Sequence, residues 1–302
     1  MRKFKKLVEV GPVGLTSWAE KELESYAEQV VRHDTLPADD ADLVRRIGDA
    51  DAVLTRTLPV IGANVLSAAP GLKYVGMCCS LYSKESANVD IGYAEAHGIT
   101  VTGIRDYGDH GVTEYVIYQL VRILHGYDYP RWKTLPLEIT GLKVGFVGMG
   151  TSGTMTAQAL QMLGAEIHYF ARSVKPEREA EGMRFQPLDE LLAWCDVVVT
   201  CLNKNVILLH EKQFEALGEG KIMCNTAIGP ASDMDALKRW IDNPKNIFCS
   251  DTKGGIGPIA DLVMGRQNVI CPDASAGMTS QAYDLLSRKV LDNIKAFLGQ
   301  GA

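Results

Sequence analysis

Between Leu142 and Gly153 the chain runs Leu-Lys-Val-Gly-Phe-Val-Gly-Met-Gly-Thr-Ser-Gly, an apolar stretch of strand length closing on glycines spaced G-x-G-x-x-G. Thr154 to Leu163 continues in a helical pattern. A strand, a tight turn and a helix in this order belong to the crossover unit of a parallel sheet. Gly148 permits the turn, Gly150 lets a pyrophosphate approach the backbone, and Gly153 lets the helix pack against the strand. Free N–H groups at the helix start, around Thr151 and Ser152, face phosphate charge. With 29 glycines among 302 residues, the pattern alone reads equally as an ordinary tight turn. The flanking strand and helix favour a dinucleotide site.

The same alternation extends in both directions. Strand-like runs at 6–10, 52–55, 74–78, 142–147, 167–170, 196–202, 222–225 and 247–249 are separated by helical patterns at 155–163, 188–194, 211–217 and 234–240. The fold class is therefore α/β, with two Rossmann-like, doubly wound parallel-sheet domains and a cleft between them. The glycine turn follows roughly 100 residues that already alternate, so a first α/β unit precedes the nucleotide unit. A helical pattern from Gly111 to about Leu124 is placed to bridge the two. The final stretch, 280–298, has apolar residues at 282, 285, 286, 290, 294 and 297, a core-facing stripe. Crossing back, it makes the first domain discontinuous: 1–104 plus 275–302, around a dinucleotide domain at 105–274.

The strand Ile167–Phe170 should end at the adenosine ribose. An NAD site carries an acid there for the 2′-hydroxyl. This chain has Ala171-Arg172-Ser173 with Lys175 close behind, which suits a 2′-phosphate and favours NADP(H) over NAD(H). The competing reading is a solvated surface arginine. A net charge of −6 leaves no basic footprint for nucleic acid, so small molecules and other subunits are the expected partners. The basic start, Met1 to Lys6, leads into a short run ended by Gly11-Pro12, which reads as a strand and not a signal peptide. No segment is long and apolar enough to span a bilayer. Seven cysteines without a CxxC pair fit a reducing cytoplasm, and no His/Cys/carboxylate spacing suggests a metal.

These residues together resemble the D-isomer-specific 2-hydroxyacid dehydrogenase family over nearly the whole length. The resemblance rests on Leu72–Gly76 followed by Asn88-Val89-Asp90, on His97–Thr102, and on Gly111-Val112-Thr113-Glu114. Cys224-Asn225-Thr226-Ala227 and Ser250-Asp251 match the ends of later nucleotide-domain strands. It implies a flavodoxin-like domain beside the nucleotide domain, a homodimer joined through the latter, and cofactor contacts at Asp251 and Thr226. It also implies a substrate loop after Tyr74–Cys78. Met77–Ala87 is about four residues longer than the family's loop, and Cys79, Ser80 and Tyr82 are its candidate substrate residues.

The family's catalytic trio does not carry over. Its arginine falls on Ile228, its glutamate falls in Thr252–Gly257 where there is no acid, and its histidine falls at Asp273 or Ala274. Reducing a 2-oxo acid builds charge on oxygen that a donor must meet. Losing such a donor costs about 100- to 1000-fold in rate. Candidate replacements are Lys253, as proton donor or carbonyl clamp; His110, as general acid; and Asp273. Each also reads as an exposed loop or turn residue. Two functions follow: an NADPH-linked oxidoreductase acting on a non-standard carbonyl or imine, or an inactive dinucleotide-binding pseudoenzyme that senses cofactor state.

Overall fold

The computed structural model describes residues 2–204 and 206–299. Met1, where the basic start begins, Asn205, and 300–302 at the end of the expected first domain lie outside them. The chain divides into two compact units, Met1–Tyr107 with Thr279–Ala302, and Gly108–Met278. Where the sequence placed limits at 104 and 274, the divisions follow Tyr107 and Met278. Gly108 is the N-cap of the helix Asp109–His125, and a Cβ there would lie 2.7 Å from the carbonyl of Gly277, so two bare backbones meet at the point of division.

Unit 1 contains β1 (Phe4–Glu9), β2 (Ala27–Arg32), β3 (Ala52–Thr55), β4 (Tyr74–Ser80) and β5 (Thr100–Ile104). They pair in parallel in the order β2-β1-β3-β4-β5, a flavodoxin-like winding that reverses direction at β1. Alternate residues feed opposite faces, so both faces are apolar. Leu7, Leu54, Tyr74 and Cys78 pack with Leu286, Val290 and Ile294 of the final helix, Ser280–Gly299. Val8, Val53, Val75, Met77 and Cys79 pack with Ile47, Val65 and Ala94. The sequence reading missed β2, because an edge strand reading Ala-Glu-Gln-Val-Val-Arg is half solvated and carries no clear period.

Unit 2 contains β6 (Lys143–Val147), β7 (Glu166–Phe170), β8 (Arg184–Phe185), β9 (Val197–Thr200), β10 (Ile222–Asn225), β11 (Ile247–Ser250) and β12 (Val269–Ile270). Their order, β12-β11-β10-β9-β6-β7-β8, is a Rossmann winding with its switch point between β6 and β9. Val144, Phe146, Val197 and Val199 face one core, with Val116, Leu120 and Ile123 of the helix Asp109–His125. Val147, Val198, Met223 and Phe248 face the other, with Leu191, Leu237 and Trp240. The Asp109–His125 helix belongs to unit 2 and packs beside the helix Thr151–Met162, where a buried hydrogen bond of 2.9 Å joins the Thr113 and Thr156 hydroxyls.

Candidate functional site

The turn after β6 gives each of its glycines a separate physical job. Gly148 sits at φ +102, and a Cβ on it would lie 2.4 Å from the Cys201 carbonyl oxygen. A Cβ on Gly153 would lie 2.4 Å from the Gly148 carbonyl oxygen, which is the close approach of helix to turn. Around Gly150 nothing lies within 4 Å of a built Cβ, so the backbone there is open. The helix begins at Thr151, earlier than the sequence pattern suggested, and its N-cap Gly150 supplies no side-chain acceptor. The first N–H groups of that helix thus have neither an intrahelical nor a side-chain partner among the described residues. They form the cradle that an anionic group fits.

The Ser152 side chain is engaged separately from the N–H that its position offers to a phosphate. Its hydroxyl donates a short hydrogen bond to Oδ1 of Asp109, so only its N–H is left for a phosphate. Asp109 is 8% exposed and opens the neighbouring helix. Nothing in its local sequence assigns it a role, because its partner is 43 residues away. Next to it, His110 is exposed and makes no hydrogen bond or ion pair among the described residues.

Beyond β7, Arg172 and Ser173 are exposed, and neither side chain has a hydrogen bond or ion pair among the described residues. The Lys175 N–H donates to the Tyr169 hydroxyl at 2.7 Å, which fixes the bend into the helix Pro176–Ala180. No acid stands where β7 ends.

At the ends of β10 and β11 the organising side chain is Asn225, which is fully buried. Its Nδ2 donates to the Gly229 and Gly255 carbonyls at 3.1 and 2.7 Å, and its Oδ1 accepts from the Thr200 hydroxyl at 2.8 Å and the Ala227 N–H at 3.2 Å. One amide therefore ties three strand ends together. The Thr226 hydroxyl donates to the Thr200 carbonyl at 3.3 Å. Asp251 is 5% exposed, and its Oδ2 accepts from the Ala276 N–H at 2.9 Å. Burial raises its carboxyl above the ordinary range, against the pull of that N–H.

Lys253 and Asp273 are brought together, but through the Lys253 backbone. The Lys253 N–H donates to Asp273 Oδ1 at 2.9 Å, while its ammonium lies 3.6 Å from Asp261 in an exposed pair. Asp273 itself is exposed at φ +53 and braces the short helix Lys253–Ile256. Neither residue shares a hydrogen bond or ion pair with His110. Ile228 is 55% exposed, an apolar side chain on the loop that Asn225 holds.

In unit 1 the presumed substrate loop is partly strand. β4 runs on to Ser80 and pairs with Ile104 across an irregularity between Gly76 and Ser80. Cys79 consequently faces the core at 3% exposure, so its thiol is a packing group and not one presented to a substrate. Ser80 hydrogen-bonds Tyr107, whose hydroxyl burial pushes upward in pKa and which lies near Cys79, Arg56 and Tyr283. Tyr82 is half-exposed beneath the Arg105 guanidinium, 5.3 Å from its ring centroid. Buried Asn88 donates to the carbonyls of Arg56 and Pro59, both at 2.7 Å, and so fixes the loop after β3. Among the described residues, no group of three His, Cys, Asp or Glu could hold a metal ion. No described helix is long and apolar enough to cross a membrane.

Comparison with known proteins finds similar sequences and folds. Residues 119–248 match the family described as D-isomer specific 2-hydroxyacid dehydrogenase, NAD binding domain. A hydroxypyruvate reductase of Blautia hydrogenotrophica is 28% identical over 303 residues, covering 92% of this chain and 91% of the relative. A glyoxylate reductase of Thermococcus kodakarensis is 28% identical over 219 residues, 65% of this chain, which spans 64% of that relative's length. Among solved structures, an acyclic imino acid reductase (Bsp5) in complex with NADPH and D-Arg superposes with a TM-score of 0.82. It is 20% identical, with 98% of this chain and 97% of that one covered, a likeness of fold alone.

Proposed function

The chain belongs to the D-isomer-specific 2-hydroxyacid dehydrogenase family, a family of oxidoreductases, and from that premise we propose that it is an NADPH-linked reductase of a non-standard carbonyl or imine. The observation that carries this reading is the pairing of an open phosphate turn with an unpartnered Arg172 where an NAD site would hold an acid. A guanidinium matches a 2′-phosphate through two parallel donors. The bound nicotinamide would supply a hydride to the carbonyl or imine carbon. The protein must then deliver one proton to the oxygen or nitrogen, and Lys253 and His110 are the groups proposed for it. Ile228 is the reason for an unusual substrate, since it cannot clamp a carboxylate from the family's place. That a protein of this fold is described as an imino acid reductase with NADPH supports the imine branch.

Screening carbonyls and imines with NADPH tests the reading. Saturable oxidation, reduced about 100-fold or more in kcat by Lys253→Ala or His110→Ala, is the expected result. Tight NADPH binding with no turnover across the screen would favour the second reading, a cofactor-sensing protein. One observation favours that second reading: Lys253 and Asp273 are engaged in bracing a loop. Sedimentation checks the homodimer that the family membership leads us to expect.

A further inference from the structure

The two helices that start beside the glycine turn are joined by matched side chains. Ser152 donates to Asp109, and one turn further along each helix the Thr113 and Thr156 hydroxyls share a hydrogen bond of 2.9 Å. Both rungs climb in the same direction, so the helices Asp109–His125 and Thr151–Met162 lie parallel and begin at one level. Two positive helix ends therefore meet at the same edge of unit 2. Only one of them is left open. Gly150 caps its helix without a side chain, whereas Asp109 puts a carboxylate into the first turn of the other.

That carboxylate is out of keeping with a site for phosphate. It is 8% exposed and makes no ion pair among the described residues. Its supports are the start of its own helix and the Ser152 hydroxyl, neither of them a cationic side chain. Its charge is felt beneath the turn, at Cys201, the residue that a Cβ on either Gly148 or Gly153 would press against. Burial pushes the Cys201 thiol up to about 12 against the pull of the Thr226 hydroxyl, and Asp109 is among the groups that add to the push.

We infer that Asp109 is a fixed anion that weakens the turn's hold on a pyrophosphate and so keeps the dinucleotide exchanging. The inference rests on the proposed reductase, whose spent cofactor must leave in every cycle, a step that often limits turnover. Ser152 holds the carboxylate through its hydroxyl and offers its N–H to the phosphate, so a single residue stands between the two like charges. Their repulsion opposes the attraction of the open helix end, and salt screens it. An asparagine side chain has nearly the same shape and still accepts from Ser152. Asp109→Asn therefore removes the charge and leaves the seam between the helices in place.

Titration calorimetry and stopped-flow binding of the full chain test this, with ADP-ribose as the pyrophosphate ligand and adenosine 2′-monophosphate as the ligand without one. At low ionic strength Asp109→Asn should bind ADP-ribose about 5- to 20-fold more tightly, mostly through slower dissociation. The gain should shrink at high ionic strength, and adenosine 2′-monophosphate should bind within about two-fold of its original affinity. A residue that only braced the helix would give no gain when replaced. ADP-ribose binding unchanged or weakened in Asp109→Asn would thus overturn the inference. So would an equal gain for adenosine 2′-monophosphate, a gain that salt leaves untouched, or no ADP-ribose binding to either protein. Where Asp109→Asn fails to fold, Asp109→Ser decides by the same outcomes. NADPH turnover with a carbonyl or imine, alongside no gain in the variant, would leave the reductase reading standing without this inference. A gain for ADP-ribose without any turnover would leave the inference standing and remove the reductase reading.

Discussion

At the carboxyl end of β6 the distinctive chemistry is backbone: three glycines and a helix start with no side-chain cap. At the carboxyl ends of β3 and β4 it is side chains, with Arg56, Tyr107, Ser80 and Tyr283 converging from four separate segments. Both are edges of parallel sheets, yet they respond differently to change. A backbone site is defined by what cannot be added. A side-chain site is defined by what cannot be removed.

The largest effect is expected where the backbone has no slack. Gly148→Ala places a methyl group 2.4 Å from the Cys201 carbonyl at a φ of +102. Left-handed strain and overpacking together should cost about 4 kcal/mol, read by urea unfolding, and NADPH binding should be lost with the turn. A Gly148→Ala protein of unchanged stability would remove the contrast at its source.

Unit 1 has its own large effect, and it depends on pH. Glu9 is 4% exposed on β1, its Oε1 has no hydrogen-bond partner among the described residues, and Arg32 lies 3.6 Å away. Burial dominates, and Glu20 and Asp34 add to it against Arg32, so the carboxyl is pushed up to about 7 from its usual 4.5. Between these values the folded chain holds a proton that the unfolded chain has released. Stability therefore falls as pH rises through that window and levels off above it. Glu9→Gln should flatten the slope, adding up to about 3 kcal/mol at pH 8 and nothing at pH 4. Parallel melting curves that differ equally at both pH values would show Glu9 to be ionised throughout.

The same contrast explains what could be read in advance. The glycine turn occupies one continuous stretch, and Gly148 and Gly153 are informative because a Cβ at either would meet a carbonyl oxygen at 2.4 Å. The alternation that gives two parallel sheets is likewise local, so the fold class was legible. The unit 1 cluster was not, because Arg56 meets Tyr283 across 227 residues and no window of sequence contains both. Asp109 escaped notice for the same reason, since its bond to Ser152 depends on two helices lying side by side. Cys79 was placed on a loop because the run at 74–78 does not reveal that β4 continues to Ser80 with a shifted register. Lys253 was picked out by its place after β11, whereas its pairing with Asp261 depends on the turn of the next helix.

Two buried asparagines sharpen the comparison, one in each unit. Asn225 makes four hydrogen bonds that join the ends of β9, β10 and β11. Asn88 makes two donor bonds, and its buried Oδ1 has no hydrogen-bond partner among the described residues. Removing each amide leaves buried carbonyls unsatisfied, so Asn225→Ala should cost about 3 kcal/mol and Asn88→Ala about 2. Thermal unfolding measures both. NADPH binding should weaken chiefly in Asn225→Ala. Equal loss of NADPH binding in both variants would dissolve the distinction between the two edges.

The smallest effect on stability should come from Gly150→Ala. Its φ of −84 and ψ of −162 suit any residue, and nothing stands within 4 Å of the added methyl group. Alanine is a poorer N-cap than glycine, which should cost less than about 1 kcal/mol. The space the methyl group enters is nonetheless the space a pyrophosphate needs, directly over the free N–H groups of the Thr151–Met162 helix. NADPH affinity should therefore drop about 10-fold or more while the unfolding midpoint hardly moves. Gly148 and Gly150 would then separate the two things a glycine does here: one lets the chain turn, and the other leaves room for what the turn receives. An alanine at 150 that binds NADPH as well as glycine does would mean the dinucleotide lies elsewhere along the edge of the unit 2 sheet.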